Sequence, residues 1–274
     1  MAKFPVGIQL YSVRDAMEKD FENTIKQIAE MGYDCVEFAG TFGKSASEVK
    51  AICDKNNIMP VSAHVSYDEI KVDPEKIAEY YAEVGVKFVV IPWLDEEYRP
   101  GTDGYEGFKA DVNKIGEIMK KHGITLGYHN HDFEFEKLDG EYLLDIMYKD
   151  IDADHLETQI DTCWVNVGGE NPAEYLKKYK GRAHIVHIKD FAGQKSDNMY
   201  ALIGKDDNND ASEKKAPFEF RPVGYGVQDV KAILSACREA GADYIVIEQD
   251  QASMGLTSME CAKKSFDYIK TVNN

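Results

Sequence analysis

Four polar residues between the middle of the chain and its C-terminus each close an apolar, strand-like run. They are His129 in TLGYHNH, Asp161 in LETQID, His187 in AHIVHIKD and Glu248 in DYIVIEQD. Two imidazoles and two carboxylates form a mixed nitrogen and oxygen set that suits a divalent transition metal. Four such residues at the ends of different strands predict a built metal site.

Each of these residues taken alone also has a structural interpretation. His129 could be a hydrogen-bonded histidine inside a barrel, and Asp161 could cap a short helix. Glu248 could be a salt-bridged acid at a strand end, because a carboxylate that closes the apolar run YIVI is costly to bury without a cation.

The early strands carry candidate substrate-binding residues. Glu37 lies in CVEFA, His64 lies near the end of PVSAHV, and Trp93 ends FVVIPW. An aromatic wall with polar groups for hydroxyls is what a sugar site needs. The alternatives are an ion pair for Glu37, a satisfied core histidine for His64 and core packing for Trp93. Arg221 could bind a substrate oxygen or a phosphate, although a plain surface position is the preferred interpretation.

Composition limits the class of protein. The chain has 274 residues, 43% of them hydrophobic and 30% charged, which is ordinary for a protein with a buried core. The formal net charge of −17 disfavours nucleic acid and anionic membranes as partners. No apolar run approaches the length of a membrane span. The five scattered cysteines lack a CxxC pair and predict reduced thiols in a cytoplasmic protein.

Strand-like and helix-like segments alternate along the whole chain. The predicted strands cover 7–11, 35–39, 59–65, 87–93, 125–131, 156–161, 183–189 and 243–249. About eight βα units without a break predict an α/β fold, a single (β/α)8 TIM barrel over residues 1–274. A doubly wound sheet is the alternative, but no Gly-rich phosphate turn follows the first strand. The irregular stretch at about 192–221 predicts a solvated insertion or an active-site lid.

The segments GIQLYSVRD, CVEFAG, GYHNHDFEF, IDTCWV, HIVHIKDF and IVIEQD resemble the xylose isomerase-like sugar phosphate isomerase/epimerase superfamily. The resemblance spans essentially the whole chain and implies a TIM barrel with a metal at the carboxyl ends of its fifth to eighth strands. In the epimerases the ligands are Glu, Asp, His and Glu. Asp161, His187 and Glu248 fall on the last three positions, and His129 departs from the first.

That departure affects the expected chemistry. In the ketose 3-epimerases of this superfamily both glutamates also act as acid and base, and here only Glu248 keeps that role. The second proton carrier would then be His131, Lys189 or Glu134. His131 shares a strand face with His129 and has the best expected geometry, whereas Glu134 has the wrong parity for a continuous strand. The predicted catalytic residues are Glu248, His131 and Lys189, and Glu134 joins the substrate-binding candidates.

The function expected from the resemblance is isomerisation or epimerisation of a keto sugar through an enediolate. A dehydratase or lyase of the inosose dehydratase kind is the alternative, and a non-catalytic sugar-binding barrel ranks lower. A DNA-repair endonuclease of this fold would need a basic groove, which the net charge argues against. The expected cofactor is one divalent ion, preferably Mn²⁺, with Co²⁺, Fe²⁺ or Zn²⁺ as alternatives. The expected partner is a small sugar, and a homo-oligomer is left open.

Overall fold

Eight parallel strands close into a barrel in the computed structural model, which describes residues 3–195 and 218–273. In chain order the strands are β1 (Val6–Gln9), β2 (Cys35–Phe38), β3 (Met59–His64), β4 (Phe88–Ile91), β5 (Thr125–His129), β6 (Lys137–Leu138), β7 (Glu141–Tyr142), β8 (Glu157–Asp161), β9 (Ile185–Ala192), β10 (Glu219–Arg221) and β11 (Tyr244–Glu248). The barrel order is β1-β2-β3-β4-β5-β8-β9-β11, and β11 pairs with β1 to close it. The predicted (β/α)8 barrel is confirmed.

Helices surround the strands and alternate with them along the chain. They are α1 (Arg14–Met17), α2 (Phe21–Met31), α3 (Ala46–Lys55), α4 (Tyr67–Ile70), α5 (Pro74–Val84), α6 (Tyr105–Lys121), α7 (Leu143–Asp150), α8 (Thr162–Val167), α9 (Pro172–Lys178), α10 (Val230–Ala240) and α11 (Ser258–Val272). Local signals explain several of their ends. A capping box between Ser45 and Glu48 starts α3, and Gly32, at a φ of 107°, ends α2. Among the described residues, no helix has the length and apolar character of a membrane span.

The interior of the barrel changes character along its axis. Alternate residues of each strand point inward. Toward the amino ends of the strands, Cys35, Val61, Phe88, Val90, Ile185, Tyr244 and Val246 form an apolar cluster. Above this cluster Gln9 and Gln159, both fully buried, donate hydrogen bonds of 2.7 and 2.6 Å to the carboxylate of Glu37. A polar layer therefore separates the apolar base of the barrel from the carboxyl ends of its strands.

Several strand ends differ from the sequence-based prediction, and two of them bear on residues near the candidate site. β1 stops at Gln9, because the side chain of that residue accepts a hydrogen bond from the backbone of Tyr11 and starts a 3-10 turn. β5 stops at His129, so His131 lies beyond the strand rather than within it. The parity argument that placed His131 on the face of His129 therefore does not apply.

The predicted loop or lid at about 192–221 lies mostly outside the described residues. Its two ends are strands rather than irregular chain, because β9 continues to Ala192 and pairs antiparallel with β10. Aromatic packing explains this extension. Phe191, Phe218 and Phe220 are buried together against Trp164 of α8.

Candidate metal centre

The four predicted ligands converge at the carboxyl end of the barrel. His129, Asp161, His187 and Glu248 are all buried, and one ligand atom from each lies within 4.8 Å of the others. The Nε2 atom of His129 is 3.8 Å from Asp161 Oδ2 and 4.0 Å from Glu248 Oε2. Ligand bonds of about 2.1 Å place two ligands of one ion at most about 4.2 Å apart, so these spacings are close to those of a bound ion.

Asp161 shows why a cation suits this cluster. Its Oδ1 atom accepts hydrogen bonds from the backbone of Cys163 at 2.8 Å and of Trp164 at 3.1 Å, and thereby caps α8. Its Oδ2 atom is buried and has no hydrogen-bond partner. A buried carboxylate oxygen without a partner is costly, and a metal ion would satisfy it. The capping role and the ligand role considered for Asp161 use different oxygens, so they are compatible.

The two histidines present one ring nitrogen each to the cluster. His187 has Nδ1 3.1 Å from Glu248 Oε2, while its Nε2 lies 2.6 Å from Glu37 Oε1. His129 directs Nε2 toward the carboxylates, while its Nδ1 lies 3.0 Å from Gln159 Oε1. Burial opposes the charged form of His187, but Glu37 and Glu248 outweigh it and raise its pKa to about 10.

A second group of potential ligands overlaps the first. His64, His129 and His187 also have ligand atoms within 4.8 Å of one another. However, the Nε2 atom of His64 already lies 2.7 Å from Gln159 Oε1 and 3.0 Å from Glu37 Oε1. The four-residue group also contains two carboxylates to balance a divalent charge, so it is the better metal site.

Lys189 is a buried cation beside the cluster. Its Nζ atom lies 2.6 Å from Asp250 Oδ2, 3.0 Å from Glu248 Oε2 and 3.7 Å from Asp161 Oδ2. Burial opposes its charge, but Asp250 and Glu248 outweigh burial and hold the pKa of Lys189 well above its usual value. Lys189 therefore stays an ammonium group next to the predicted ligands.

A cavity of about 390 Å³ opens next to this cluster. Glu248 and Lys189 line it on the side of the barrel, together with His129 and Asp250. The cavity lining also has an aromatic part. The aromatic residues of the lining are Tyr11, Tyr67, Trp93 and Tyr98. Aromatic rings combined with polar groups are the lining expected for a small polyhydroxylated ligand.

The other predicted site residues divide into two groups. His64, Trp93 and His131 line the cavity, and the Trp93 ring lies edge-on to that of His131 at 4.8 Å. Glu37 and Glu134 are buried and are not part of the described lining.

The positions of the non-lining residues have local reasons. Glu37 lies inside the barrel beneath the histidines. Glu134 accepts hydrogen bonds from the Tyr128 hydroxyl at 2.5 Å and the backbone of His131 at 2.8 Å. Arg221, on β10, pairs with Glu219 at 2.6 Å and is also outside the lining. The side chain of Arg221 is only 25% exposed, so a plain surface position does not describe it, and its substrate-binding role stays a prediction.

Sequence reasoning missed Gln159 and Asp250. Gln159 is two residues before Asp161 in the same strand, so strand parity alone places it on the inward face. Asp250 follows β11 by two residues and lines the cavity beside Lys189. Its signal was weak, because an acidic residue after a strand end is common in loops.

The chain belongs to the xylose isomerase-like TIM barrel family, whose pattern matches residues 25–272. It is 23% identical to inosose dehydratase of Lacticaseibacillus casei, over 94% of this chain and 91% of that protein. A sugar phosphate isomerase/epimerase structure from Parabacteroides distasonis ATCC 8503 has a TM-score of 0.77 at 23% identity and covers 98% of this chain and 94% of the other. The structure of IolI protein with a bound zinc atom has a TM-score of 0.70 at 17% identity and covers 99% of each chain.

Proposed function

We propose that this protein is a metal-dependent dehydratase that removes water from a keto polyol, through an enolate formed next to the carbonyl group. The observation that carries the proposal is the ligand set. Asp161, one of the two carboxylates in that set, is held by the N-terminus of α8 and is not in the cavity lining, whereas the other, Glu248, lines the cavity. One carboxylate base suits an elimination, whereas the related epimerases use two glutamates.

The proposed ion is held by His129, Asp161, His187 and Glu248. Mn²⁺ is the first choice, with Co²⁺, Fe²⁺ and Zn²⁺ as alternatives, and the zinc-bearing IolI structure supports an ion of this class. When bound, a divalent ion supplies Lewis acidity toward a carbonyl oxygen and its neighbouring hydroxyl. All other steps belong to the side chains around the cavity.

The proposed steps use three side chains. Glu248 takes the proton from the carbon next to the carbonyl group, and the electron pair of that C–H bond forms the enolate. The ammonium group of Lys189, 3.0 Å from Glu248, faces the negative charge that develops on the substrate. His131 then gives a proton to the hydroxyl group on the next carbon, whose C–O bond breaks to release water. The products are an unsaturated ketone and one water molecule.

The comparison supports elimination from a second direction. The Lacticaseibacillus casei relative is named inosose dehydratase, and it aligns along more than nine-tenths of both chains. The substrate class proposed here is therefore a keto polyol such as a keto-inositol. A cytoplasmic location, as the thiol content predicts, is part of the same proposal.

Epimerisation of a keto sugar is the second candidate, because His131 could return a proton to the substrate carbon after Glu248 has removed one. It lines the cavity and its ring lies 5.2 Å from that of His129. The Parabacteroides distasonis neighbour, named as an isomerase/epimerase, is consistent with this candidate.

Proton NMR in heavy water separates the candidates. The metal-free protein is loaded with Zn²⁺ and mixed with a keto-inositol or a keto sugar. Loss of water with an unsaturated product is expected. Deuterium incorporation without loss of water would establish the isomerase or epimerase instead. No exchange with any substrate, in protein that binds the ion, would contradict both and favour a binding protein. Glu248→Gln is the control, and it should abolish the reaction.

A further inference from the structure

The two histidine ligands are connected below the metal centre by a fully buried network. Glu37 lies at its middle, on β2, with both carboxylate oxygens used. Oε1 accepts from Gln9 at 2.7 Å and lies 2.6 Å from His187 Nε2, and Oε2 accepts from Ser62 at 2.5 Å and from Gln159 at 2.6 Å. None of this carboxylate is exposed.

We propose that Glu37 and Gln159 are positioning residues that fix which nitrogen of each histidine ligand faces the metal ion. This inference depends on the proposed metal centre but not on which reaction the protein catalyses. Neither residue lines the cavity, so they act through the histidines rather than on a substrate.

Hydrogen bonding determines which nitrogen of His187 would keep its proton when an ion binds. An ionised carboxylate can only accept hydrogen bonds, so the nitrogen that faces Glu37 must carry the proton. That nitrogen is Nε2, at 2.6 Å. Nδ1 lies 3.1 Å from Oε2 of Glu248, itself a predicted ligand, so Nδ1 is the nitrogen that faces the ion and would give up its proton to bind it.

The same reasoning continues through Gln159 to His129. The amide nitrogen of Gln159 donates to Glu37 at 2.6 Å, which fixes the orientation of the amide. Its Oε1 atom therefore faces His129 Nδ1 at 3.0 Å and His64 Nε2 at 2.7 Å. Because that oxygen accepts, His129 Nδ1 carries a proton and Nε2 is left for the ion.

The network also places a negative charge one hydrogen bond behind His187. The ligand set lacks the first glutamate of the related epimerases, because His129 stands there. A carboxylate bonded to a metal-binding imidazole increases the basicity of that ligand. Glu37 thus partly replaces, from behind His187, the charge that the substitution at position 129 removes.

The first test uses the wild-type protein with Zn²⁺ and ¹⁵N-labelled histidine. Two-bond ¹H–¹⁵N correlation spectra distinguish a protonated, a free and a metal-bound ring nitrogen. We expect metal on Nδ1 of His187 and on Nε2 of His129, with the other nitrogen of each ring protonated. Metal on the opposite nitrogen of either ring would overturn the inference. Failure of the wild-type protein to bind Zn²⁺ would overturn the metal centre and this inference with it.

The second test measures Zn²⁺ affinity by competition with a chelator. Glu37→Gln and Gln159→Met should each weaken binding by roughly 10- to 100-fold, the usual effect of losing such an outer partner. Glu37→Asp, which keeps a carboxylate, should lose less Zn²⁺ affinity than Glu37→Gln. The matched control is Glu157→Gln, which removes a carboxylate at the amino end of β8 that pairs with His184, just before β9.

Unchanged affinity in both Glu37→Gln and Gln159→Met, or an equal loss in Glu157→Gln, would contradict positioning. Circular dichroism of the metal-free variants separates loss of affinity from loss of fold. If Glu37→Gln does not fold, the spectra of the wild-type protein still decide the question. None of these measurements needs turnover. A result that contradicts the positioning roles of Glu37 and Gln159 is therefore distinct from a result that contradicts the proposed dehydratase activity.

Discussion

At the scale of single residues, the proposed metal centre combines side chains that each have two roles. Asp161 uses one oxygen to cap α8 and leaves the other without a hydrogen-bond partner. Lys189 balances Glu248 and Asp250 and also lines the cavity. Substitutions that remove one task and keep the other are therefore informative.

Asp161→Asn should lose metal but keep the fold. The amide oxygen can still accept the backbone hydrogen bonds of α8, whereas the amide nitrogen cannot bind a cation. We expect at least about a 100-fold loss of Zn²⁺ affinity, by analogy with loss of a single metal partner, and little change in the free energy of unfolding of the metal-free protein. Asp161→Ala should lose the metal affinity and the helix cap, and the missing cap should lower the free energy of unfolding by about 1 kcal/mol. Wild-type affinity in Asp161→Asn would contradict the ligand assignment.

His131→Ala should keep the metal and lose turnover. His131 lines the cavity but is not one of the four clustered ligands. We expect Zn²⁺ affinity near that of the wild-type protein and a loss of kcat of about 10²-fold or more, the usual weight of a general acid. A collapse of metal binding in His131→Ala, together with its survival in His129→Ala, would show that the two histidines have exchanged roles. Unchanged turnover would move the acid role to Lys189 or Glu134.

Glu134 should make stability depend on pH. Burial raises its pKa from 4.5 to about 7, although the Tyr128 hydroxyl, the His131 backbone and Arg99 all oppose the shift. The folded protein therefore holds this proton more tightly than the unfolded chain. The resulting stability is complete below about pH 4.5 and is lost as the pH rises through about 7.

Urea unfolding of Glu134→Gln against the wild-type protein checks this sign. Between pH 5 and pH 8 the free energy of unfolding of the wild-type protein should fall by on the order of 2 kcal/mol relative to that of the variant. Glu83→Gln, at an exposed glutamate of α5, is the control and should follow the wild-type profile. Parallel pH profiles for Glu134→Gln and the wild-type protein would refute a buried, proton-binding Glu134.

At the scale of elements, the sequence predicted all eight barrel strands but not how their side chains meet inside. Periodicity and turn residues are local, so the alternating segments and the four strand-end residues that cluster at the carboxyl end of the barrel could be found from the chain. The Glu37 network joins residues 122 and 150 positions apart, and no local pattern encodes those contacts. The antiparallel β10 was missed for a similar reason, since aromatic packing against α8 stabilises it rather than a strand pattern of its own.

The turn after β10 depends on one buried carboxylate. Asp190 of β9 accepts backbone hydrogen bonds from Phe191, Gly224, Gly226 and Gln228, at 2.9 to 3.1 Å. A Cβ atom at position 226 would lie 2.2 Å from Asp190 Oδ1, and 2.2 Å from the carbonyl oxygen of Phe191. A glycine is therefore required at position 226, because the backbone there lies too close to β9 for a side chain.

Gly226→Ala should destabilise the protein by at least about 2 kcal/mol, because the added methyl group must displace backbone or a buried carboxylate. The matched control is Gly107→Ala in α6, where a Cβ atom meets nothing within 4 Å. That change should stabilise by up to about 1 kcal/mol through helix propensity. Urea unfolding of both variants gives the comparison. Equal effects of the two changes would show that the turn adapts and that the Asp190 contacts are not tight.

At the scale of the whole molecule, the proposed metal centre joins strands that are distant in sequence. Its predicted ligands come from β5, β8, β9 and β11, so an ion would connect half of the barrel strands. An ion that binds only the folded state stabilises it by about 4 kcal/mol at 1,000 times its Kd. The net charge of −17 complicates the measurement, because an acidic surface attracts divalent ions without any specific site.

We therefore predict a rise in Tm of about 10 °C with saturating Zn²⁺, from the usual 2 to 4 °C per kcal/mol for a chain of this size. The scan is made at about 0.15 M salt, where surface charges are screened beyond about 8 Å and buried ligands are not. A chelator should reverse the shift, and Asp161→Asn should show little or none. If the variant shifts as much as the wild-type protein, the ion is binding the acidic surface and the barrel centre is not its site. A shift confined to the wild-type protein would tie the stability of the whole barrel to the four residues at its carboxyl end.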